Sequence, residues 1–116
     1  MTLGDKQKIF AFLVSKLIQK AYCMGYEITL GEAWRPRATA EYYAKKGIGI
    51  KNSLHTKRLA IDINLFKNGK YLTSTKAYTK LGEWWEKQGE KYKVVTAWGG
   101  RFKDGGHFSL SHKGVK

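Results

Sequence analysis

The chain has 116 residues, with 22 Lys and Arg against 9 Asp and Glu, giving a formal net charge of +13. At 42% hydrophobic and 14% aromatic, it carries enough apolar material for a packed core, which argues against disorder. One Pro, dispersed glycines and no repeat or low-complexity run exclude a two-domain reading, so residues 1–116 are expected to form a single domain.

The lone cysteine, Cys23, has no partner for an intradomain disulfide, so stability must come from the core or from a metal. It is expected to be a small buried apolar residue. The longest apolar run, Ile9 to Val14, is six residues, far short of the roughly 20 that span a bilayer. Lys6 and Lys8 mimic a secretory start, but Ser15, Lys16, Gln19 and Lys20 break the apolar region early. The chain is therefore expected to be made without an export signal or membrane anchor. Of the basic residues 18 are Lys and 4 are Arg, which predicts diffuse attraction to polyanions over bidentate base readout. Nucleic acid, anionic wall polymers and lipopolysaccharide share that sign.

Thr2 and Asp5 form a capping pair for a helix to about Tyr22, with Ile9, Phe10, Leu13, Val14, Leu17 and Ala21 as its apolar stripe. Gly25 stops it. From Tyr26 the period becomes two: Tyr26, Ile28 and Leu30 fall on one side, and Glu27, Thr29, Gly31, Ala33 and Arg35 on the other, up to Pro36. Ala38 to Lys46 is a short helix closed by Gly47, and Ile48 to Ser53 is a loop. Leu59 to Leu65 alternates without a fault, Leu59, Ile61, Ile63 and Leu65 against Ala60, Asp62 and Asn64. Asn68-Gly69 predicts a hairpin that returns Lys70 to Thr73 alongside. Ser74 or Thr75 caps a helix to about Gln88, with Ala77, Leu81, Trp84 and Gln88 on one stripe. Val94 to Trp98 reads as a strand, a glycine-rich loop covers residues 99–106, and His107 to His112 is a last strand. The order predicts an α+β domain: a small antiparallel sheet with helices on its apolar face and an open polar face.

Alternation puts Asp62 and His107 on that open face, with His55 in the loop leading to the Asp62 strand. Two His and one carboxylate make a three-ligand zinc set with a fourth position left for water. Asp104, three residues before His107, is the candidate general base; a plain turn residue before Gly105-Gly106 is the competing reading. Arg35 is placed to hold a substrate carboxylate or an oxyanion, or else to stack on Trp34. Trp98 walls either the cleft or the core, with the cleft slightly favoured. His112, near the chain end, is expected to be exposed and inert.

Ser53-Leu54-His55, three residues, Leu59-Ala60-Ile61-Asp62, then Asp104-Gly105-Gly106-His107-Phe108 together resemble peptidase family M15. That is the zinc D-Ala-D-Ala carboxypeptidase and L-alanyl-D-glutamate endopeptidase group, which shares its fold with the Hedgehog signalling domain. Glu32-Ala33-Trp34-Arg35-Pro36 resembles the family's aromatic-Arg segment, and the likeness runs from about Tyr26 to Leu110. It implies that His55, Asp62 and His107 bind Zn2+, that Asp104 is the catalytic acid/base and Arg35 the clamp, and that Ser53 supports the metal. Substrate-binding residues would be Arg35, Ser53 and Trp98. Asp rather than Glu three before the last His looks more like the phage endolysin branch than the dipeptidase branch. Arg58 stands where the family often has Gly, and Trp34 replaces the commoner Tyr.

The implied activity is hydrolysis of the peptidoglycan stem peptide by a monomer that accumulates in the host cytoplasm and reaches the wall after membrane permeabilisation. Its charge would supply attraction to the anionic envelope, with no specific nucleic acid partner. The alternatives are a D-Ala-D-Ala-type carboxypeptidase of the same family, or a basic nucleic-acid-binding domain or metal nuclease using His55 and Asn64.

Overall fold

The computed structural model describes residues 1–116. Helix α1 (Leu3–Cys23) opens on a reciprocal capping box, in which the Asp5 amide donates to Thr2 Oγ1 at 3.1 Å and the Thr2 amide to Asp5 Oδ2 at 2.8 Å. Phe10, Leu13, Leu17 and Ala21 are buried, one side of the predicted stripe. Gly25, at φ 88°, takes the left-handed turn that releases the chain into β1 (Glu27–Leu30). Strand β1 is shorter than the alternation suggested, and Leu30 is exposed rather than in the core. It is an edge strand, and beyond it only irregular bonds continue: Gly31 N to Asp62 O and Asp62 N to Glu32 O.

Helix α2 (Arg37–Lys45) follows, then a 3-10 turn over Leu54–Lys57 and the long strand β2 (Ala60–Lys67). The Asn68-Gly69 hairpin, with φ 52° and 76°, returns β3 (Lys70–Leu72) as its composition predicts. Ser74 caps a 3-10 turn over Thr75–Tyr78, which runs into α3 (Thr79–Glu86). Strands β4 (Thr96–Trp98) and β5 (His107–Leu110) complete an antiparallel sheet of order β1-β2-β5-β4, with β3 also paired to β2. The α+β architecture is the one expected.

The core lies between this sheet and helices α1 and α3. Its centre is Trp85, fully buried, with Phe10 and Phe108 each edge-on at 6.0 Å. The Trp85 indole donates to Ala97 O and Ser109 O, tying α3 to β4 and β5. Of the expected stripe, Leu81 is buried and Ala77 and Trp84 pack partly buried against the core. Cys23 also departs from expectation: it is exposed, at the end of α1 and past the buried stripe.

Trp98 occupies a slot made by two glycines. A Cβ at Gly82 or at Gly100 would overlap its indole. Gly82→Ala is expected to destabilise the fold by roughly 1–3 kcal/mol through overpacking. At Gly4, where the nearest atom to an added Cβ is 3.8 Å away, the same change should be neutral or stabilising within about 1 kcal/mol. Urea unfolding of both variants checks the contrast.

Candidate metal centre

The register of β2 against β5 sets Asp62 directly opposite His107, with Ile61 opposite Phe108 and Ala60 opposite Ser109. Directly opposed residues share a face, so Asp62 and His107 rise together on the side away from Phe108 and the core. His55 reaches them from the turn before β2. Ser53 Oγ accepts from the His55 amide at 3.3 Å, and Thr56 Oγ1 donates to Ser53 O at 2.6 Å, which winds the turn tightly. Buried Leu54 and Leu59 pin its two ends to the core. The turn closes at Arg58, which sits at φ 56°. That conformation explains why glycine suits this position, and here the Arg58 guanidinium instead lies 4.7 Å over the Trp34 ring.

His55 Nε2 and His107 Nδ1 each lie 3.4 Å from Asp62 Oδ1, and ligand atoms from all three residues fall within 4.8 Å of one another. A charge-assisted hydrogen bond would be near 2.8 Å. Two ligands about 2.05 Å from a tetrahedral zinc are instead ~3.4 Å apart. The spacing is therefore that of donors arranged around a common centre, and the donor set of two imidazoles and a carboxylate suits zinc. Burial acts to raise the Asp62 pKa, but the two imidazoles outweigh it and hold the carboxyl well below its usual range. Asp62 is thus ionised, as a ligand must be.

Asp104 lies on the wall of the same cavity. Its pKa is raised, first by lost hydration and then by the Asp62 charge, with the His107 and His55 imidazoles opposing. The loop holds it by a bond from its amide to Gly99 O at 2.8 Å, and its own carbonyl accepts from the His107 amide at 3.1 Å. Gly105 and Gly106 serve close approach rather than an unusual turn. A Cβ on Gly105 would stand 2.9 Å from Thr75 Cα, and one on Gly106 2.7 Å from Ile63 O.

A family described as D-alanyl-D-alanine carboxypeptidase, the peptidase M15_4 group, matches residues 46–110. The chain belongs to the M15 peptidases. The matched span contains Ser53, His55, Asp62, Asp104 and His107 but not Arg35. The M15 chain also shares its fold with the L-Ala D-Glu endopeptidase ChiX of Serratia marcescens. The TM-score is 0.66 at 21% identity, over 82% of this chain and 75% of that one. No curated protein sequence matches it.

Two expected site residues are placed differently in this M15 domain. Trp98 is 3% exposed and does not line the cleft; its indole donates to Gly105 O at 2.7 Å, supporting the Asp104 loop from below. The tight contacts of Gly82 and Gly100 draw it inward. Arg35 lines the cavity, but its Nε and one terminal nitrogen both donate to Glu32 Oε1, at 2.8 and 2.6 Å. It stacks on Tyr43 at 5.1 Å rather than on Trp34. Ser53 is buried beside His55. His112 stands apart, 3.0 Å from Lys6 Nζ. Asn64, paired with His55 in the nuclease alternative, donates to Thr29 Oγ1 and accepts from the Tyr71 hydroxyl.

Glu32 is the site residue that sequence reasoning missed. Its Oε1 is 3.6 Å from His55 Nδ1, a buried nitrogen with no hydrogen-bond partner, and it is the carboxylate nearest that edge of the ring. A carboxylate there favours the His55 tautomer that leaves Nε2 free for a metal. The one available signal was its position three residues before Arg35, a spacing at which opposite charges meet. Glu32→Gln is expected to weaken zinc affinity about tenfold while retaining one ion per chain. His107→Ala is expected to abolish binding. Competition titration with a chromophoric chelator measures both.

Proposed function

We propose that this M15 peptidase is a zinc enzyme that hydrolyses the peptidoglycan stem peptide, with L-alanyl-D-glutamate endopeptidase activity of the phage endolysin kind. The observation that carries the reading is the convergence of His55, Asp62 and His107 on one centre, with Asp104 on the wall of the same cavity of about 370 Å³. The family match and the fold shared with the Serratia endopeptidase support it. A zinc ion held by the three ligands would act as Lewis acid and acidify its water.

Hydrolysis adds water across the amide: the carbonyl carbon gains the hydroxyl oxygen, and the departing nitrogen gains a proton. Asp104, with its raised pKa, takes the water proton and returns it to that nitrogen. Arg35, fixed by Glu32 and Tyr43, lines the cavity and would offer its remaining nitrogen as a preorganised donor to the carbonyl oxygen. Ser53 keeps the His55 turn wound. The excess of 13 positive charges would concentrate the enzyme at an anionic envelope after membrane permeabilisation releases it from the host cytoplasm.

Asp104→Ala is expected to lower kcat on a soluble stem-peptide fragment by about 10²–10⁴-fold while zinc stoichiometry stays at one. Retained turnover in that variant would remove Asp104 from the mechanism, and full turnover after exhaustive chelation would remove the metal.

A further inference from the structure

The ion pairs of the fold use arginines and the metal-site histidines, and no lysine takes part in one. Most lysines are exposed and served by water, but Lys6 is partly buried on the first turns of α1. Its ammonium donates to His112 Nδ1 at 3.0 Å. An ammonium has no lone pair, so Nδ1 is the acceptor and the ring proton sits on Nε2. His112 is held neutral: lost hydration, then the charges of Lys6, Lys113 and Lys57, lower its pKa. The adjacent acid, Asp5, is turned into the capping box of α1.

These groups border a hollow of about 270 Å³ lined by Asn52, Leu54, Lys57, His112, Lys113 and Val115. The 3-10 turn supplies Lys57, whose carbonyl accepts from Gln7 Nε2 at 2.8 Å, so α1 and the turn are tied together. His112 and Val115 exchange backbone bonds at 3.0 and 2.9 Å, closing a tight bend with Lys113 at φ 49°. A second hollow, of about 100 Å³, shares Asn52 and Lys57 and adds Arg37, Lys51 and Thr56. There Arg37 has a counter-ion, Glu41 at 3.5 Å, and the two lysines have none. Neither hollow is lined by a carboxylate. Elsewhere acids accompany the lysines: Lys116 and Lys103 share their cavities with Asp62 and Asp104, and Lys45 shares its own with Glu41.

Cations gathered without acids repel one another, a cost that a bound anion removes. The donors are ammonium groups, an amide and an imidazole N–H, which can surround a tetrahedral oxyanion from several directions. A lone planar carboxylate is better met by the fork of an arginine. Two hollows in series suit phosphates repeated along a chain. Their apolar lining is Leu54 and Val115, with no Phe, Tyr or Trp to stack a base, which favours a polyol-phosphate polymer over a nucleic acid. We propose that the hollow of Lys6, Asn52, Lys57, His112 and Lys113 binds a phosphate of such a polymer, with the next phosphate toward Lys51. The turn that carries Lys57 also carries His55, so the polymer is held beside the metal centre. Binding is local to this face, whereas the field of the net charge acts from every face.

The test is a nuclear magnetic resonance titration of the intact chain with a short synthetic glycerol phosphate oligomer. Ionic strength is held at about 0.15 M, where exposed charges more than about 8 Å apart are largely screened. Saturable amide shifts are expected at Asn52, Lys57, His112 and Lys113. Lys57→Met combined with Lys113→Met, both exposed, should weaken binding about tenfold. The same charge removed at exposed Lys80 and Lys91 should change it less than about twofold. Equal weakening by both pairs, or shifts that spread over the surface without saturating, overturns the site in favour of diffuse attraction. Equal or tighter binding of a single-stranded DNA of the same charge at those residues overturns the polymer assignment. Turnover enters none of these readouts, so their outcome is separate from the peptidase reading.

Discussion

The pairing of β2 with β5 governs everything at the site, because it puts an anionic side chain beside an imidazole on the polar face of the sheet. Asp62 faces His107 only in this register. Moving either strand by one residue would turn that strand's ligand to the core face. The opposite face therefore protects the site: Ile61, Ile63, Phe108 and Leu110 are buried so completely that a slip would expose them to water. Stability and metal geometry are two consequences of one alternation. His55 enters from outside the sheet, and its turn needs more fixings: the Ser53 cap, the anchors Leu54 and Leu59, and a left-handed residue at its end.

Two carboxyls near the same imidazoles are driven in opposite directions. Asp62 lies between both rings and is held ionised, whereas Asp104 loses hydration and feels the Asp62 charge, so its proton is bound more firmly. That separation suits one group to hold a cation and the other to pass a proton. The Arg35–Glu32 pair adds a second layer, with Glu32 turned at once to the guanidinium and to the free edge of His55. Backbone bonds from Arg35 N to His55 O and from Asp62 N to Glu32 O stitch this segment to both ligands.

Much of this was legible from residue order, and what was not has physical reasons. Period-two alternation over Leu59–Leu65 and over the His107 strand placed Asp62 and His107 on one face, and the capping box and Asn68-Gly69 turn appear where their chemistry predicts. These are local signals. Trp98, Cys23 and Leu30 were misjudged because their environments are set by distant partners. Gly82 and Gly100 open a slot for Trp98, and Cys23 and Leu30 lie just past the packed part of their elements. Glu32 escaped notice for a similar reason: its partner His55 is far along the chain, and only folding brings the two within 3.6 Å. Arg58 shows the converse, a departure from glycine that keeps the left-handed backbone and finds an aromatic ring to cover.

X-ray absorption at the zinc K-edge on the metal-loaded protein addresses the central claim most directly. A four-coordinate shell of nitrogen and oxygen at about 2.0–2.1 Å with scattering from two imidazoles, lost together with the bound ion in His55→Ala, is the expected spectrum. A six-coordinate shell of oxygen alone, or a spectrum unchanged by that substitution, would contradict the assignment of His55, Asp62 and His107 to one ion.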